Sequence, residues 1–148
     1  MDSGRLSVRM YGALRGEFDL RGGELSCEGM PRPEGMGARL RFAGDPGEGV
    51  GSLVVIVALP GLVRGETLAE LPSNVTLIEE GEGRFFSTPD LDHCWTDVLR
   101  QAPADDRADV YEIDGAVYCI GPLGEVNGSS SISIERLEFR GLLDWSAN

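Results

Sequence analysis

The chain has 148 residues, 41% of them apolar, 26% charged and 7% aromatic, which is too aliphatic for intrinsic disorder. That length fits one domain, residues 1–148, able to bury a core without a metal or a dense disulfide framework. Thirteen basic against twenty-five acidic residues leave a net charge of −12, which repels phosphate backbones and anionic lipid, and the longest apolar run, Leu53–Leu59, is far short of the ~20 residues of a membrane helix.

Period-two alternation dominates the chain from its start. Leu6, Val8 and Met10 alternate with Ser7 and Arg9, and Phe18 and Leu20 continue the pattern. Gly22-Gly23 suits a tight hairpin turn before Leu25 and Cys27. Met30–Gly37 and Asp45–Gly51 read as loops around a half-buried strand carrying Ala38, Leu40 and Phe42. Leu53–Leu59 is unbroken apolar and rich in Val and Ile, the pattern of a central strand covered on both faces. Glu66–Leu71 suggests one helical turn before Pro72, and Val75 and Leu77 begin another strand that Gly81–Gly83 turns back.

A short helix is predicted near residues 90–101. Pro89 and Asp90 favour a helix start, and Trp95, Val98 and Leu99 fall at i, i+3 and i+4, with Cys94 on the stripe's edge. Asp114-Gly115 then predicts a type I′ hairpin within Val110–Ile120, pairing Tyr111 with Tyr118 on one face. In Ser130–Trp145 the apolar residues Ile132 and Ile134 are even-numbered, whereas Leu137, Phe139, Leu143 and Trp145 are odd. A phase flip without a turn signal predicts a β-bulge near Glu135–Arg136. The fold class expected is mostly β: an antiparallel β-sandwich or flattened barrel of about eight to ten strands with that one short helix.

Cys94 and Cys119 both face apolar neighbours, and the segment between them is compact enough to join them. A bridge closing about 25 residues would contribute ~3.5 kcal/mol in the chain-entropy model. Cys27 would remain as the odd thiol. The competing reading is three free, buried cysteines in a cytosolic protein. The bridge implies an oxidising compartment. All thirteen basic residues are Arg, which we read as a GC-rich bacterial coding bias. Together these predict a periplasmic or extracellular protein. No charged n-region and apolar h-region precede Leu6, so the export signal is expected to be missing from the sequence in hand.

Catalytic and metal signals are weak. His93 and Cys94 would diverge on a helix, and no second His or Cys pair supports a zinc site. Asp105, Asp106, Asp109, Glu112 and Asp114 lack the order of a known calcium loop and read as a solvated stretch. Gly44–Gly51 has no Gly-Lys-Ser/Thr and carries acids that repel phosphate. The single histidine has no evident nucleophile beside it, and a pair of carboxylates cannot be located from sequence. No cofactor and no metal are therefore expected. Among Tyr11, Trp95, Tyr111, Tyr118 and Trp145, the candidate ligand or partner surface is assigned to Tyr111, Tyr118 and Trp145, against core packing as the plain alternative.

The function expected is a non-catalytic, exported bacterial binding or envelope-associated module. Its partner would be a protein or a small ligand, with a basic protein such as a cationic hydrolase suggested by charge, and without nucleic-acid binding or membrane insertion. The alternatives are a β-barrel carrier of a small apolar ligand, which would enclose a cavity of ~300–1,000 Å³, and a carboxylate-based hydrolase.

Overall fold

The computed structural model describes residues 4–33, 36–47, 51–104 and 107–147. The fold is almost entirely antiparallel β, with 11 strands in one sheet. In chain order the strands are β1 (Arg5–Gly12), β2 (Gly16–Arg21), β3 (Leu25–Pro31), β4 (Ala38–Gly44), β5 (Leu53–Leu59), β6 (Leu68–Glu79), β7 (Arg84–Ser87), β8 (Cys94–Pro103), β9 (Val110–Cys119), β10 (Leu123–Glu125) and β11 (Ser131–Asp144). Among the described residues the helical content is a single 3-10 turn, Gly22–Glu24.

Two long strands organise the sheet. β6 pairs β5 along one edge, and meets β7 and β8 over successive stretches, residues 76–79 and 68–73. β11 pairs β1 along one edge, and meets β10 and β9 at residues 131–132 and 137–144. Between β6 and β11, β7 joins β10 while β8 joins β9. The column β3-β4-β5-β6 therefore continues through two half-strand pairs into β11-β1-β2. The sheet coils until β3 lies against β11. A Cβ on Gly29 would come within 2.6 Å of the Leu142 carbonyl oxygen, so this approach of two backbones requires glycine.

Alternation built the core as expected. Leu6, Leu40, Phe42, Leu77, Phe86, Ile113 and Leu137 are fully buried in it. Phe42 and Phe139 meet across it with ring centroids 5.4 Å apart. β5 is paired on both edges, and even its outward Val54 is only 1% exposed, while Ile56 and Ala58 are half-covered. The bulge falls where the phase flip put it. Arg9 faces Arg136 and Met10 faces Ile134, leaving Glu135 as the extra residue.

The helix near residues 90–101 is overturned. Cys94–Pro103 is a strand paired on both edges. Cys94, Thr96 and Val98 point inward at period two, and then Leu99 is an extra residue, because Val98 faces Gly115 and Arg100 faces Asp114. That bulge restarts the alternation with Gln101 inward, and Trp95, Val98 and Leu99, which suggested one helical face, point outward, inward and out to solvent. Asp90 caps only a local turn, accepting the Asp92 N–H at 2.9 Å.

The Asp114-Gly115 turn is also overturned, since β9 runs straight through it. Gly115 faces Phe139 across the β9–β11 pair, and a Cβ there would lie 2.4 Å from the Phe139 ring. The glycine makes room for an aromatic ring rather than for positive φ. Gly22-Gly23 closes no hairpin, because β2 pairs β1 and β3 pairs β4; its 3-10 turn carries the chain from one end of the sheet to the other. Pro72 does not end a helical turn; it lies within β6, opposite Trp95.

Two expectations follow. Gly115→Ala should force the Phe139 ring off its buried seat and cost about 1–3 kcal/mol in urea unfolding; an unchanged midpoint would show that the ring has somewhere else to go. Burial pushes the Cys27 thiol up to about 11, against a hydrogen bond from the Leu142 backbone that lowers it. The unfolded chain thus loses this proton first, near pH 9, and stability falls as pH rises from about 9 towards 11. Urea midpoints across that range should drop for the wild type and drop less for Cys27→Ala.

Candidate functional site

β8 and β9 start and stop at a covalent rung. Cys94, the first residue of β8, faces Cys119, the last of β9, with Cα atoms 4.1 Å apart, and the two form a disulfide with its Cys94 side inside the core. Beyond the rung the strands give way to two connections held together by one backbone and one side-chain hydrogen bond. The Ile120 N–H donates to the His93 carbonyl at 3.0 Å, and His93 Nε2 donates to the Pro122 carbonyl at 2.8 Å. Cys94 and His93 are thus both engaged by the fold. Among the described residues no cluster of three His, Cys, Asp or Glu side chains is arranged to hold a metal ion.

The next rung points the opposite way. Pro72, Trp95 and Tyr118 face one another across β6, β8 and β9 and form a row on the outer face. Trp95 and Tyr118 lie nearly parallel at 24°, with centroids 6.0 Å apart. Tyr118 is 40% exposed. Beside the row, β6 bulges: Leu68 faces Val98 and Leu71 faces Thr96, so Ala69 and Glu70 together oppose Asp97. Glu70 takes a positive φ of 54° there. Its N–H donates to Asp97 Oδ1 at 2.8 Å, which ties the bulge to β8. Such a backbone costs a non-glycine residue of order 1–2 kcal/mol. Glu70, Trp95 and Tyr118 line an open concavity of about 400 Å³. Partial desolvation raises the Tyr118 phenol above its ordinary value, and the negative charges of Asp97 and Glu70 push in the same direction.

The three aromatic residues assigned from sequence are not brought together. With no turn at Asp114-Gly115, Tyr111 and Tyr118 lie on opposite faces of β9. Tyr111 is occupied internally. The Arg64 guanidinium stands 5.3 Å from its ring centroid, donates to its hydroxyl at 3.4 Å and pairs with Asp109 at 2.8 Å. Trp145 packs against the core, and its Nε1–H donates to Gln101 Oε1 at 3.0 Å. The Gln101 amide in turn donates to the Val63 and Glu66 carbonyls, so this chain of bonds fastens a loop. Only Tyr118 remains on an exposed surface, now with Trp95. Glu70, Asp97 and Pro72 escaped sequence reasoning, although Trp95 and Asp97 alternate as outward residues once the segment is read as a strand.

The acidic run has internal partners. Asp109 pairs Arg64, Glu112 pairs Arg100 and Asp114 holds Arg140 through two hydrogen bonds at 2.7 and 3.2 Å. Asp105 and Asp106 lie outside the described residues. A second open concavity, of about 500 Å³, is lined by Leu99, Asp114, Glu138 and Arg140 with Arg5 and Arg21. Its arginines are already paired, Arg5 and Arg21 with Asp19 and Arg140 with Asp114. Comparison with known proteins returns no match among family models, curated proteins or solved structures.

Replacing both bridge cysteines by alanine should lower stability by about 3.5 kcal/mol, the chain-entropy value for a loop of about 25 residues. For a domain of this size that is a fall of about 10 °C in Tm. Because Trp95 follows Cys94 directly, its fluorescence should change as well. A Tm within about 2 °C of wild type would deny the bridge this role.

Proposed function

We propose that this chain is a non-catalytic binding module of a bacterium, working in the periplasm or outside the cell, and that its partner is a basic protein. The observation that carries this reading is the outward Pro72–Trp95–Tyr118 row, a rigid aromatic surface on a chain of net charge −12. Aromatic rings on a stiff scaffold supply contact area at low entropic cost and dominate protein interfaces. The surrounding negative charge would steer a basic partner towards it and disfavour acidic ones. The disulfide supports the compartment, because such bridges persist where the environment is oxidising. Arginine as the sole basic residue fits a GC-rich bacterial source.

Two further observations favour partner binding over the alternatives. The interior that a carrier would keep open is filled by Phe42, Phe86, Leu77 and Ile132. Of the two carboxylates lining the larger concavity, Asp114 and Glu138, the first is engaged by Arg140 and so is not free to act as one of a hydrolase's pair. Among the described residues no helix is long and apolar enough to cross a membrane.

The test is site-specific photo-crosslinking in the source organism from Ile120, which is exposed close to the row. The expected adduct is one protein of high isoelectric point, recovered from the periplasm or medium and lost as salt is raised. Adducts confined to acidic proteins, or a chain found in the cytosol with three free thiols, would overturn the reading.

A further inference from the structure

Aromatic rings and carboxylates meet at two places in the chain. At Tyr111 a tyrosine ring, the Asp109 carboxylate and the Arg64 guanidinium assemble, with the cation 5.3 Å from the ring centroid and 2.8 Å from the carboxylate. At Tyr118 a tyrosine ring, a parallel indole and Glu70 line an open concavity, and Asp97 stands beside it, holding the Glu70 N–H. Among the described residues neither Glu70 nor Asp97 belongs to an ion pair, and no arginine lies over Trp95 or Tyr118.

We propose that the Trp95–Tyr118 pair with Glu70 and Asp97 is the seat for an arginine side chain of the basic partner. The proposal rests on the reading of the chain as a module for a basic protein and names the group it grips. An arginine fits better than a lysine. Its flat guanidinium stacks on an indole or phenol face while its edge donates to carboxylates, whereas an ammonium is a strongly hydrated point charge. Asp97 spends Oδ1 on the Glu70 N–H, which fixes its carboxylate and brings Glu70 alongside. Both acids act on the Tyr118 ring electrostatically, so a cation arriving there meets ring and negative charge together. The bulge that strains Glu70 into positive φ is what delivers it to this place.

The probe is a blocked peptide of Gly, Ser and three Arg, titrated at low salt into the full, disulfide-bonded chain. Matched peptides carry Lys or the neutral isostere citrulline at the same positions. The two indole N–H signals of the NMR spectrum provide the readout and its control, because Trp145 donates internally to Gln101. Expected are a saturable shift of the Trp95 indole with Trp145 unmoved, weaker binding of the Lys peptide and none of the citrulline peptide. Glu70→Gln with Asp97→Asn should weaken the Arg peptide by about tenfold. Tyr118→Leu, which leaves the bulge alone, should weaken it similarly, with Tm kept for both variants. An Arg peptide that binds while Trp95 stays silent and both variants bind as wild type would place the cation elsewhere, overturning the seat but leaving a basic partner intact. Saturable binding at Trp95, with crosslinking recovering only acidic proteins, would uphold the seat and overturn the basic partner. No binding of the Arg peptide overturns the seat.

Discussion

The rung between Cys94 and Cys119 fixes more than two sulfur atoms. In a sheet, a slip of one residue sends every side chain to the opposite face. The bond holds β8 and β9 in one register, with the inward pair Cys94–Cys119 followed directly by the outward pair Trp95–Tyr118. It acts where the ladder needs it, because β8 begins and β9 ends there and the two connections beyond are held by single hydrogen bonds. The aromatic row, the bulge tied to Asp97 and the concavity beside them all inherit their geometry from that register.

Inside and outside are treated differently. The interior is filled with aliphatic and aromatic side chains, and its glycines mark places where backbone or ring must come close: Gly29 under β11 and Gly115 under Phe139. The outer face is laced with arginine–carboxylate pairs, Arg140 with Asp114 and Arg5 with Asp19 among them. Exposed pairs of this kind contribute little stability each. They also leave the surface strongly negative, because among the described residues more carboxylates stand outside such pairs than within them.

How much was legible in the sequence depended on whether a phase shift had one cause or several. In β11 the switch from Ile134 to Leu137 admitted only a bulge, and Glu135 is that residue. In β8 the apolar residues at i, i+3 and i+4 imitated a helical stripe although they share no face: Trp95 is outward, Val98 inward and Leu99 the exposed extra residue of the bulge. The bridge partners were readable because both sat among apolar neighbours. Asp114-Gly115 misled because its glycine answers a distant partner, Phe139, and local sequence carries no trace of that ring. The misread turn then put Tyr111 beside Tyr118, and the candidate surface failed with it. Glu70 and Asp97 were invisible for the same reason, since their meeting depends on β6 lying alongside β8.

The position of β11 in the sheet has a kinetic consequence. It pairs β1, β9 and β10 and packs against β3, so four earlier strands depend on the one that follows them all in chain order among the described residues. Arg5 finds its partner in Arg140. Pairings of such long range close slowly, because loop entropy is lost before contacts form. Until that meeting, β1 and β2 form a hairpin with no other neighbour, and the sheet lacks one of its two flanks.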